Sequence, residues 1–174
     1  MIHDVIGDLD IRIKPEWLQF YAAAAVLTAG ILVYLLDRPS DSVYFVPDSW
    51  SMADRTPAIF GTIGRYLPTF AHTFAFILLT TAVMAPTRKA ALGICAAWLF
   101  VESLFEVAQS DVISAKIAGN VPAWFSDWPL LDNVADYFVS GRFDPLDLVS
   151  ITVAAGAAYL TILYSTRRGS LHAD

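Results

Sequence analysis

Two of the three glutamates in the chain, Glu102 and Glu106, lie inside one long apolar run. With Gln109 they are spaced i, i+4, i+7. At about 100° per residue they share a helix face within about 60°. A charged side chain at mid-bilayer costs about 2.5–3.5 kcal/mol on insertion scales. Such residues therefore need a partner, a proton or water. His72 is the one histidine inside an apolar run; His3 and His172 lie in the tails. Arg142, Asp144 and Asp147 open the last apolar run. Carboxylates, an imidazole, an amide and a guanidinium can hold a polar ligand, and a Glu/His pair can perform general acid–base work. No nucleophile or scissile bond is evident, so binding is expected rather than catalysis.

Each residue also has a plainer reading. Asp144-Pro145-Leu146-Asp147 has the pattern of a helix start, with Asp144 as N-cap, Pro145 at N1 and Asp147 at N3. A lone intramembrane histidine is more often a packing residue than a ligand. Glu106 and Gln109 are close enough to the interface to snorkel upward. Glu102 sits deeper, roughly 10 Å below Gln109 along the helix. It is expected to face the bundle interior and to hydrogen-bond Thr69, Thr73 or His72.

The elements that must position these groups are membrane spans. The chain has 174 residues, 56% hydrophobic and 16% charged, with a mean hydropathy of +0.54. Soluble domains carry about 45–50% apolar and about 25% charged residues. A hydrocarbon core of about 30 Å needs about 20 apolar residues in a helix. Four stretches qualify: 17–36, 66–85, 90–108 and 146–165. The expected fold is all-α, a single membrane domain over residues 1–174 with four transmembrane helices and outer loops 37–65 and 110–145. The acidic N-terminal segment and the long first run argue against a cleavable signal peptide.

Basic residues set the expected orientation. Residues 1–16, the link Pro86–Lys89 and the tail from residue 166 hold six of the eleven Lys and Arg. Residues 37–65 and 110–146 hold the other five over more than twice the length. Both termini are expected in the cytoplasm and both long loops outside, although Arg65 at the outer end of the second span counts against this. His72, Glu102, Glu106, Gln109, Arg142, Asp144 and Asp147 then fall at outer-leaflet depth. The outer loops carry Tyr44, Phe45, Trp50, Trp124, Phe125, Trp128, Tyr137 and Phe138. Aromatic residues of this kind favour the membrane–water interface. Short interfacial helices are expected there, for instance near 130–139, where Leu130, Leu131, Val134 and Phe138 follow a helical spacing. Asp147, Ser150, Ala154 and Ala158 form one stripe, expected on a packed face because small residues at this spacing favour close helix contact.

Several functions are excluded or disfavoured. Net charge is −6, which is wrong for nucleic-acid binding. Cys95 is the only cysteine, so there is no intrachain disulfide. Bis-histidine haem would need two membrane histidines. There is no HExxH, GxSxG or Gly-rich phosphate loop, so neither a metal nor another cofactor is expected. The expected partners are membrane lipids and, on an alternative reading, a larger membrane complex of which this chain is an accessory subunit.

The order of motifs resembles the VanZ-like family of small multi-pass bacterial membrane proteins. His72 matches the family histidine, Glu106 and Gln109 its Glu-x-x-Gln, and Arg142, Asp144 and Asp147 its final motif, over residues 66 to 163. The chain departs from the pattern at Pro68-Thr69-Phe70-Ala71, at Ile151, and in the long separation of Gln109 from Arg142. The resemblance implies a bacterial inner-membrane location and an outer polar site linked to cell-envelope glycopeptide tolerance. Its ligand would be a lipid head group, a cell-wall precursor or a glycopeptide.

Overall fold

The computed structural model describes residues 15–39, 50–53, 57–129 and 131–170. The acidic N-terminal segment, Tyr44, Phe45 and Leu130 lie outside them. All regular structure among the described residues is helical: α1 (Pro15–Asp37), α2 (Ile63–Met84), α3 (Arg88–Ala108), α4 (Asp111–Ala118), α5 (Val134–Ser140) and α6 (Pro145–Ser170). A 3-10 turn, Ala123–Asp127, lies between α4 and α5. Helices α1, α2, α3 and α6 are each long and apolar enough to cross a membrane. They contain the four expected spans to within a residue, except that α2 begins three residues earlier and stops one short.

Local chemistry explains the boundaries. α2 ends at Ala85, which adopts the left-handed conformation (φ 42°, ψ 54°) and donates its N–H to the Thr81 carbonyl. α3 starts after Thr87, whose hydroxyl accepts from the Ala90 N–H. The link is therefore short, and α2 and α3 form an antiparallel pair. At the other end of α1, Asp37 accepts from the N–H groups of Ile59 and Phe60, both at 2.8 Å. These bonds tie the start of α2 to the end of α1.

α2 and α6 are the central pair. Each packs on the other and on both remaining spans, whereas α1 and α3 flank them on opposite sides. Small residues allow close approach in the bundle: Ala154 and Ala158 on α6, and Ala71 and Ala75 on α2, are fully buried. Without a hydrophobic drive between helices in lipid, close backbone approach is what dispersion attraction needs. The expected stripe on α6 faces inward as part of this contact, and Ser150 donates to the Tyr66 carbonyl of α2 at 3.0 Å. α1 meets α2 still more closely at Gly30, where a Cβ would stand 3.0 Å from the Ala71 Cβ. Lipid-length apolar faces remain outside, including Phe100 and Leu104 on α3 and Val153 and Leu160 on α6.

Helices α4 and α5 pack on one another between α3 and α6. Phe138 of α5 stacks on Phe105 of α3, with ring centroids 6.3 Å apart. Within the stretch 130–139, α5 covers residues from Val134 onward. Trp124 and Trp128 stand exposed beside it. Two ends of the bundle can thus be distinguished. The loop end carries α4, α5 and the start of α6. The terminal end carries the start of α1 and the end of α6.

Candidate functional site

The site is built from the first turn of α6 outward. Asp144 caps that helix: its Oδ1 accepts from the Leu146 N–H at 2.9 Å. In a capping box, the acidic N3 side chain would reach back to the N–H of the cap residue. Here that N–H is taken by another helix. Glu106 of α3, only 7% exposed, accepts it through Oε1 at 2.7 Å. Asp147, the N3 residue, is thereby released from the task. The Thr69 hydroxyl of α2 lies within hydrogen-bonding reach of its carboxyl, while its Oδ1 is buried with no hydrogen-bond partner.

Gln109, one helical turn beyond Glu106, pins the segment just before the cap. Its Nε2 donates to the Tyr137 hydroxyl at 3.1 Å. Its side chain also fills the space where a Cβ on Gly141 would stand, with Oε1 2.7 Å from that position. Partial burial raises the Tyr137 phenol above its ordinary value, so it stays a neutral hydroxyl. Glu106 and Gln109 together hold residues 137–144 against α3. Their work is positional.

Above Asp147 opens a cavity of about 530 Å³. Its wall brings together Arg38 from the end of α1, Arg65 and Tyr66 from the start of α2, Arg142 from the turn before α6, and Asp144 and Asp147. Tyr34, Thr69 and Gln109 complete the polar lining. Arg38 donates to the Arg65 carbonyl at 3.2 Å, and the Arg65 guanidinium stands 5.9 Å from the Tyr66 ring centroid. Arg38 and Arg65 both act electrostatically on Asp147. Among the described residues, none of the three guanidiniums is paired with a carboxylate. The cavity therefore presents guanidiniums that have no carboxylate partner among the described residues, beside the Asp147 carboxyl, whose Oδ1 is shielded from the open space.

The residues expected to form a site separate into three groups. Asp144, Asp147, Arg142 and Gln109 line the cavity. Glu106 lies behind it and supports the α6 cap. His72 and Glu102 stand apart. The His72 ring is exposed and stacks on Phe76 at 5.8 Å, and Phe76 in turn meets Trp98 of α3. Depth brought His72 level with the cluster, but its ring stays on the exposed face of α2 beside Phe76, whereas the Thr69 side chain reaches Asp147 of α6. Glu102 is half-buried, within electrostatic reach of Tyr137. The expected bond from Glu102 to Thr69, Thr73 or His72 is not formed, and its carboxyl has no hydrogen-bond partner among the described residues. The Thr73 hydroxyl is instead engaged by the Thr69 carbonyl of its own helix at 3.1 Å.

Arg38, Arg65, Tyr34 and Tyr66 were not expected at the site. One signal pointed to two of them. Arg38 and Arg65 are basic residues at span ends where the charge rule disfavours them. No group of three or more potential metal ligands occurs among the described residues. No protein-family model, curated protein or solved structure matches the chain.

Proposed function

We propose that this chain is a VanZ-like protein of the bacterial inner membrane whose loop-end cavity binds an anionic polar head group at the outer leaflet. The candidate ligands are a lipid head group, a cell-wall precursor and a glycopeptide. The observation that carries the reading is the cavity itself, whose lining brings together Arg38, Arg65 and Arg142, none with a carboxylate partner among the described residues. A volume of about 530 Å³ lies within the range of roughly 300–1,000 Å³ of small-molecule sites. Guanidiniums are suited to phosphate and carboxylate, which they bind in bidentate fashion. Glu106 and Gln109 hold the turn that carries Arg142; Glu106 lies behind the cavity and does not touch the ligand, whereas Gln109 also lines it. The loop end faces outward, α4 and α5 lie along the membrane surface with Trp124 and Trp128, and both termini are cytoplasmic.

Native mass spectrometry of the full chain, extracted from membranes in mild detergent, tests the binding. The wild-type protein is expected to retain a polar lipid or precursor that a doubly substituted Arg65→Gln, Arg142→Gln protein loses. Equal retention by both proteins overturns the reading. Orientation is tested separately by cysteine labelling in intact cells. An impermeant reagent should modify Ser126→Cys, on the exposed 3-10 turn, and spare Thr87→Cys, on the α2–α3 link. Labelling of Thr87→Cys alone would reverse the topology.

A further inference from the structure

The same short motif walls the cavity twice. Arg65-Tyr66-Leu67-Pro68 lies in the opening turns of α2, and Arg142-Phe143-Asp144-Pro145 leads into α6. The arginine and the aromatic residue of both copies line the cavity. The match continues down the helices. With Arg65 set against Arg142, the buried Phe74, Ile77, Leu78 and Thr81 fall on Ile151, Ala154, Ala155 and Ala158, all buried. The exposed His72, Phe76 and Val83 fall on Val149, Val153 and Leu160, all exposed. The copies differ in where the helix begins: α2 starts more than a turn before its proline, whereas α6 starts at it.

The contacts between spans repeat as well. α1 packs on α2 as α3 packs on α6, α1 also touches α6 as α3 touches α2, and the α2–α6 contact lies between the pairs. In both pairs a carboxylate of the first helix holds the entry to the second. Asp37 accepts from the Ile59 and Phe60 N–H groups, and Glu106 accepts from that of Asp144. α1 and α3 run in one direction, α2 and α6 in the other. Parallel repeats of this kind are related by an axis along the membrane normal. The cavity takes its lining from both pairs.

We infer that α1–α2 and α3–α6 are the halves of an approximate two-fold repeat, and that the cavity between them takes a diphosphate, one phosphate beside Arg65 and the other beside Arg142. The number of phosphates deepens the head-group reading above and rests on it. A phosphodiester offers two free oxygens, enough for one guanidinium fork. The two motifs present two forks, and Arg38 adds further donors. A terminal diphosphate offers five free oxygens. The space suffices: a phosphate displaces a few waters of about 30 Å³ each, and the cavity measures about 530 Å³.

Binding of farnesyl diphosphate and farnesyl phosphate, which share a tail, to the full purified chain in detergent tests the inference. The wild type should bind the diphosphate about tenfold tighter, the gain from one further charge-assisted fork. Arg65→Gln and Arg142→Gln should each bring that ratio close to one, because the two motifs are equivalent. Arg88→Gln removes the same charge from the start of α3, at the other end of the bundle, and should leave the ratio as it is. Thermal midpoints verify folding. Arg65→Lys or Arg142→Lys, which keeps the charge but lacks the fork, replaces a Gln variant that does not fold. A wild-type ratio near one overturns the two-phosphate inference but leaves the head-group reading standing. So does a ratio that falls in fewer than both cavity variants, or that falls equally in Arg88→Gln. Failure of the wild type to bind either probe also overturns the inference, and the head-group reading then stands or falls on native lipid retention. Inorganic pyrophosphate distinguishes the source. Competition by it at concentrations close to those of farnesyl diphosphate identifies a soluble diphosphate. Competition by the lipid alone identifies a membrane diphosphate.

Discussion

Two polar clusters, one toward each end of the bundle, are built in opposite ways. At the terminal end, Gln19 of α1 is 4% exposed and joins three spans. Its Nε2 donates to Ser165 of α6 at 2.8 Å, and its Oε1 accepts from Thr81 of α2 at 2.9 Å. Thr81 and Ser165 also bond to carbonyls of their own helices. Each member of this node is satisfied, and none lines the cavity. At the loop end, three guanidiniums have no carboxylate partner among the described residues, and Asp147 Oδ1 is buried without a donor. The Gln19 node recovers the cost of its polarity within the chain, although Glu16 Oε2 nearby at the start of α1 is buried without a partner; the loop-end cluster does not recover it. A saturated node is a clasp. An unsaturated one at the wall of a cavity is suited to something from outside.

The sharpest way to break this contrast is at the residue that creates it. Glu106→Ala removes the acceptor of the Asp144 N–H and leaves a cap donor unpaired. Detergent unfolding should show a loss of about 1.5–3 kcal/mol, and ligand retention should fall with it. Glu106→Gln keeps an acceptor oxygen and should recover most of the stability. If Glu106→Ala retains both stability and ligand, Glu106 does not position the α6 cap.

A smaller effect is expected from the clasp. Gln19→Leu loses two interhelical hydrogen bonds, at about 0.6–1.7 kcal/mol each on membrane scales. Thr81 and Ser165 keep their intrahelical bonds, so the loss should fall at about 1–2 kcal/mol. Ligand binding should be unchanged. A Gln19→Leu protein that is stable but loses ligand would join the two ends functionally and undo the contrast.

The smallest change in stability is expected at residues that line the cavity. Asp147→Asn and Arg142→Gln should move the thermal midpoint by no more than the equivalent of about 0.5 kcal/mol, and Asp147→Asn in the stabilising direction. A destabilisation as large as that of Gln19→Leu would make Asp147 another clasp.

The spans were legible because run length and the need to satisfy backbone groups in lipid leave few alternatives. The α6 cap was legible too, since Asp144-Pro145-Leu146-Asp147 carries its own local chemistry. The site was legible only in part. Depth follows from counting residues along a helix, so Glu106 and Asp147 could be brought to one level. Which way a side chain turns at that level depends on which helices are neighbours. That is why His72 was grouped with residues from which it faces away. Arg38 and Arg65 carry no motif. They share the cavity because α1 and α2 pack closely along the Gly30–Ala71 contact, a tertiary fact that the sequence signals only through a glycine and through two basic residues at disfavoured span ends.

The bond between Glu106 and Asp144 also bears on how the protein is made. Its acceptor precedes its donor by 38 residues. Synthesis runs from the N-terminus, so α3 exists, with Glu106 in place, before α6 emerges. The final span thus docks onto a cap that an earlier span has already prepared. Its register against α3 is set at its first turn, and the rest of α6 follows into the alanine-lined seam with α2.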